Sequence, residues 1–104
     1  GLQYLKKETI DLFTSYNSNY SRRGLGFDKP DKDNAKKQYP YPSTFSSPQT
    51  FGHTGYTGTC AWVDPQYNLI YIFLSNRVNP SESTVLNRMN VREKIFDAIY
   101  KAML

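Results

Sequence analysis

A single cysteine, Cys60, and a single histidine, His53, stand in 104 residues. One thiol closes no internal disulfide, and one thiol with one imidazole falls short of the ligand set of a structural zinc site, so neither kind of staple is available. No pattern asks for a cofactor or a metal. No stretch approaches the roughly 18 apolar residues that span a bilayer. Basic residues outnumber acidic ones by 13 to 9, but they are scattered, among them Lys6-Lys7, Arg22-Arg23, Lys36-Lys37, Arg88, Arg92, Lys94 and Lys101. Nucleic acid calls for a denser basic stripe with stacking aromatics, so no nucleic-acid partner is expected.

What is present suits one small α+β domain. A chain of this size buries roughly 60–70% of its unfolded surface, enough for one modest core. Leu5, Ile10, Leu12 and Phe13 predict a short N-terminal helix over 6–14, within a helix-and-turn segment 1–20 closed by Ser15-Tyr16-Asn17-Ser18-Asn19. The Gly-interrupted run Arg22 to Phe27 predicts a strand over 21–28. Residues 29–50 read as a long loop, stiffened by Pro40, Pro42 and Pro48. Its aromatics either pack locally or line a cleft for a sugar or peptide. Residues 51–64 alternate in one extended stretch, Asp64 to Asn68 turns, and Leu69 to Ser75 returns, giving a β-hairpin over 51–76 with Cys60 buried. The C-terminal segment 77–104 holds a helix over 91–103, with Val91, Ile95, Ala98, Ile99 and Ala102 or Met103 on its inner stripe and Asn90 and Glu93 as a capping box. Residues 81–89 are loop or an earlier helical turn.

The residues that carry chemistry are His53-Thr54-Gly55. Gly55 lets a substrate lie against the strand and bond its backbone edge. Thr54 offers a hydroxyl to a carboxylate or carbonyl, and His53 offers an imidazole, the side chain that titrates near neutral pH. A relay of His53, Asp64 and a serine is excluded on a single strand, where residues eleven apart are separated by about 36 Å.

Several segments fall in a telling order: Leu12-Phe13-Thr14, Gly24-Leu25-Gly26-Phe27, Gly52 to Thr59 around His53-Thr54-Gly55, Asp64-Pro65, Leu74-Ser75-Asn76-Arg77 and the terminal helix. This order resembles the C-terminal part of serine β-lactamases and penicillin-binding proteins of the class C, DD-peptidase and esterase type, including domains fused behind glycoside hydrolases. The resemblance implies a partial β-lactamase-like fold, with antiparallel strands and the C-terminal helix packed on one face. It also implies that His53 serves proton relay and anion recognition, that Thr54 and Gly55 bind substrate, and that the Tyr56 N–H completes an oxyanion hole.

The family's Ser-x-x-Lys is absent, since none of the nine serines has Lys three residues on, and no Tyr-x-Asn occurs. Ser15-Tyr16-Asn17 matches Ser-x-Asn only formally. The chain therefore reads as part of a hydrolase that acts on amide, lactam or ester carbonyls and is inactive alone. Its expected partners are the remainder of that domain, a small-molecule or peptidoglycan-type substrate, and a second copy through an exposed sheet edge. The family places such enzymes in the periplasm or cell envelope. The alternative reading is a non-catalytic module that binds carbohydrate or a partner through the Tyr39–Phe51 region.

Overall fold

The computed structural model describes residues 1–104. Helix α1 (Lys7–Thr14) is followed by strands β1 (Phe51–Thr54), β2 (Cys60–Asp64) and β3 (Leu69–Phe73), the single turn α2 (Val85–Arg88) and the long helix α3 (Val91–Met103). The strands form an antiparallel sheet in the order β1-β2-β3. The α+β class, both helices and the loop over 29–50, which carries only a 3-10 turn at Asn34–Lys36, agree with the sequence pattern.

The stretch 51–64 is two strands. It reverses at Gly55-Tyr56-Thr57-Gly58, where the Gly58 N–H donates to Gly55 O at 3.1 Å, and pairs with itself as Phe51↔Val63 and His53↔Ala61. Because partners share parity, side chains on one face of β1 continue in phase on the same face of β2, and alternation carries no trace of the reversal. The expected strand over 21–28 shrinks to one bridge, Asp28↔Gly52. Gly26 sits at φ 86°, and Gly24 donates to Phe27 O at 3.0 Å, so the chain turns there where a strand would extend.

One sheet face carries Trp62, Tyr71 and Cys60, all buried, and α3 lies against it through Phe96 and Tyr100, both fully buried. The Tyr71 and Phe96 rings stack at 4.6 Å, and Phe96 meets Tyr100 at 4.8 Å. The inner stripe of α3 is therefore centred on Phe96 and Tyr100, one residue round from the expected one: Ile95 and Ile99 flank it and Ala98 is exposed. Asn90 makes no side-chain cap. It stands at φ 51°, turning the chain between α2 and α3.

The Tyr/Pro-rich loop belongs to this core. Tyr41 packs edge-on against Trp62 at 5.4 Å, and Phe45 meets Tyr100 at 6.2 Å. Two carboxylates tie it down. Asp97 on α3 accepts from Thr44 N at 2.8 Å and Thr44 Oγ1 at 2.9 Å, and from Ser43 Oγ. Asp64, fully buried, accepts from Ser47 N at 3.0 Å, Ser47 Oγ at 2.6 Å, Gln66 N at 3.1 Å and Tyr100 Oη at 2.5 Å. Lys29, also buried, donates to Thr50 O at 2.9 Å and lies 4.6 Å from the Tyr16 ring centre. Burial pushes its ammonium down to about 8.

Removing only the Tyr100 hydroxyl isolates one strand of this network. Tyr100→Phe keeps the ring packing but deletes a charge-assisted bond to Asp64, and is expected to cost about 1.5–3 kcal/mol in urea denaturation. An unchanged midpoint would show that Ser47 and Gln66 alone satisfy the carboxylate.

Candidate active-site strand

β1 lies at the margin of the sheet. On its outer side Gly52 exchanges two hydrogen bonds with Asp28, at 2.7 and 3.0 Å. Backbone groups of alternate residues leave the same side of a strand, so Thr54 presents its edge in the direction of that bridge, beyond its end, and Tyr56 follows in the reversal. The Tyr56 N–H has no hydrogen-bond acceptor within the protein.

His53 is exposed on the sheet face opposite α3, in register with Ala61 and Ile72. Its Nδ1 meets Thr54 O at 2.7 Å and its Nε2 meets Arg23 Nη1 at 3.1 Å. A guanidinium has no acceptor, so Nε2 accepts and the proton sits on Nδ1. Asp64 leaves the other face, which keeps it from His53 even though the reversal at 55–58 brings β2 beside β1. The extended-strand distance does not apply, but no relay forms.

Thr54 faces the loop, its hydroxyl beside that of Tyr41. Tyr41 Oη donates to Asp28 Oδ2 at 3.1 Å, and Arg22 grips the same carboxylate at 2.8 and 3.2 Å. Burial pushes the Asp28 carboxyl up, but the Arg22 pair and the Lys29 N–H and Tyr41 bonds outweigh it and hold it below the usual range. His53 and Thr54 thus point to opposite faces, and a ligand touching both must straddle the strand edge.

A Cβ on Gly55 would collide with Thr59 Oγ1. Closure of the turn is thus a reason for this glycine independent of any substrate. Tyr56 is 68% exposed. Its hydroxyl donates to Glu82 at 2.8 Å, Arg77 covers its ring at 4.5 Å, and Arg77 Nε donates to Tyr56 O at 2.6 Å. The Tyr56 and Arg77 bonds hold the Glu82 carboxyl below its ordinary range. From α3, Arg92 Nη1 reaches Thr59 O at 2.8 Å and Gly55 O at 3.4 Å.

Arg23, Arg77 and Arg92 were invisible as site residues in the sequence, where Arg23 and Arg92 read as scattered positive charge and Arg77 only as the end of the Leu74–Arg77 segment. Their contacts span 21 to 37 residues, and no local spacing signals them. No serine hydroxyl bonds a lysine or histidine side chain; Ser43 and Ser47 serve Asp97 and Asp64, and Ser75 Oγ donates to Gly58 O. Ser15 and Asn17 bond backbone at the end of α1. No three His, Cys, Asp or Glu side chains converge as metal ligands would. The site offers an imidazole, a hydroxyl, an open backbone edge and a free amide N–H, all suited to holding an acyl group.

A three-stranded antiparallel sheet backed by a terminal helix thus carries His-Thr-Gly on its marginal strand, an α+β arrangement. The family model for β-lactamase matches residues 3–95. The chain belongs to the β-lactamase family, a family of serine hydrolases. It is similar to a protein of Escherichia coli strain K12 named "Putative D-alanyl-D-alanine carboxypeptidase", 37% identical over 76 residues that make up 73% of this chain and 17% of that protein. A Salmonella typhi protein of the same name is 36% identical over 77 residues, 74% of this chain and 17% of its own length. The N-acetylmuramyl-L-alanine amidase of Bacillus subtilis strain 168 is 28% identical over 114 residues, 99% of this chain and 25% of that protein. The chain thus spans about a sixth of the length of its carboxypeptidase-named relatives. No solved structure matches it.

Proposed function

We propose that this chain forms the His-Thr-Gly wall of a serine acyl-transfer site that cleaves an amide, lactam or ester carbonyl, most simply in peptidoglycan at the cell envelope. The free Tyr56 N–H at the open strand edge carries this reading: it is a donor with no internal partner, beside Thr54 and His53. The nucleophilic serine and its lysine lie outside these 104 residues. Names given to relatives, a carboxypeptidase and an amidase, fit a peptidoglycan substrate. The loop aromatics Tyr41 and Phe45 are committed to the core, which weakens the alternative of a carbohydrate-binding module.

Two measurements test this. The isolated chain is expected to turn over neither a chromogenic cephalosporin nor a 4-nitrophenyl ester above background. The reading frame around it should encode a Ser-x-x-Lys. Serine-dependent turnover by the chain alone, or a frame without that motif, would overturn the reading.

The outer face of β3 exposes Ile70 and Ile72, at 67 and 62%, with Leu74 just past its end at 78%, along an edge that pairs with no other strand. We assign this surface to the remainder of the hydrolase domain, and in the isolated chain to a second copy. The isolated chain is expected to self-associate in light scattering, and Ile72→Lys to return it to monomer. A wild-type chain that stays monomeric at high concentration would contradict the assignment.

A further inference from the structure

The Tyr56 amide is held from both sides by arginines that come from elsewhere in the fold. A trans peptide is planar, with its C=O and N–H pointing in opposite directions. Gly55 O and the Tyr56 N–H belong to one such plane. Gly55 O is held inward by the Gly58 N–H at 3.1 Å and by Arg92 Nη1 at 3.4 Å, while the same Arg92 nitrogen is anchored on Thr59 O at 2.8 Å and its Nη2 on Asn87 Oδ1 at 2.9 Å. The next carbonyl, Tyr56 O, is held by Arg77 Nε at 2.6 Å, and Arg77 is itself fixed by Ser83 O at 3.1 Å and Glu82 at 3.3 Å.

We infer that Arg92, assisted by Arg77, is a positioning residue for the Tyr56 N–H, fixing the Gly55–Tyr56 peptide so that its amide points out of the strand edge at the substrate's carbonyl oxygen. This rests on the reading of Tyr56 as an oxyanion donor. With the peptide flipped, the N–H would face a guanidinium, donor against donor, and the hole would be lost. Arg92 also has no carboxylate partner, and its Nε is buried without an acceptor. No acid therefore draws the guanidinium away from the Gly55 and Thr59 carbonyls that it holds. Arg92 itself touches no reacting atom.

The test uses the full-length gene product with two probes, a chromogenic cephalosporin and 4-nitrophenyl butyrate. Tyr56→Pro deletes the donor, and Arg92→Met deletes the support. Arg92→Met is expected to lower kcat about 10- to 100-fold on both probes with KM within about 3-fold, and Arg92→Lys to recover part of it. Combined with Tyr56→Pro, Arg92→Met should add nothing further, because both act through one amide. If Arg92→Met does not fold, Arg92→Lys and Arg77→Met are held to the same criteria. Loss of activity in Tyr56→Pro with unchanged kcat in folded Arg92 variants, or additive losses in the double variant, would overturn the inference while leaving the oxyanion reading intact. Full activity in Tyr56→Pro, or no turnover of either probe by the wild type, would remove both.

Discussion

Asp64→Ala is expected to destabilise the chain by about 3–5 kcal/mol, a large share of the stability of a domain this size. The carboxylate is fully buried and accepts from Ser47 N, Ser47 Oγ, Gln66 N and Tyr100 Oη. Alanine leaves those donors in a dry site with no acceptor, and each unsatisfied group costs about 1–3 kcal/mol. The same network sets a pH dependence. Burial pushes the Asp64 carboxyl up, but the bonds from Ser47 and Tyr100 outweigh it and hold the acid below its ordinary 3.8. A carboxyl lowered by folding stabilises above its unfolded value and loses that contribution as pH falls through the folded one. Stability measured by urea denaturation should therefore fall below about pH 4 in the wild type. In a folded Asp64→Asn variant that loss should be smaller. Identical acid profiles would assign the acid sensitivity to other carboxylates, Asp28 first among them.

His53→Ala in the full-length gene product is expected to lower kcat/KM about 10- to 1000-fold, with little change in stability because the ring is solvent-exposed. In this geometry Nε2 accepts from Arg23 and Nδ1 carries the proton. Protonating the ring would set two donors against each other and drive Arg23 away. Activity that relies on the held ring should thus be acid-sensitive in the wild type and not in His53→Ala. Thr54→Val should act chiefly on substrates bearing a carboxylate. Gly55→Val should hurt all substrates and also the fold, since a side chain there meets Thr59. Superimposable pH–rate profiles with equal rates would make His53 a bystander on an edge strand.

Periodic segments were legible in the sequence, and tertiary choices were not. Helix α3 ends where the pattern does, at Met103, yet its inner stripe is rotated by one residue, about 100°, because the flat face of Tyr71 stacks on an aromatic ring and selects Phe96 over Ile95. Alternation over 51–64 correctly assigns faces but hides a reversal that preserves parity. The glycines of 24–26 look like strand packing and act as a turn, since a φ of 86° at Gly26 leaves extended backbone behind. The His-Thr-Gly strand was readable because its residues are contiguous. The three arginines around it come from three distant segments, and only the folded chain places them.

Helix α3 joins two regions that the sequence keeps far apart. Near its first turn Arg92 reaches the carbonyls of the Tyr56 turn, and farther along Asp97 and Tyr100 hold the 43–47 loop directly and through Asp64. With Phe96 seated between them on Tyr71, a single helix carries supports for both the 43–47 loop and the turn that holds Tyr56, so the sequence's last element fastens two segments that are themselves far from it along the chain.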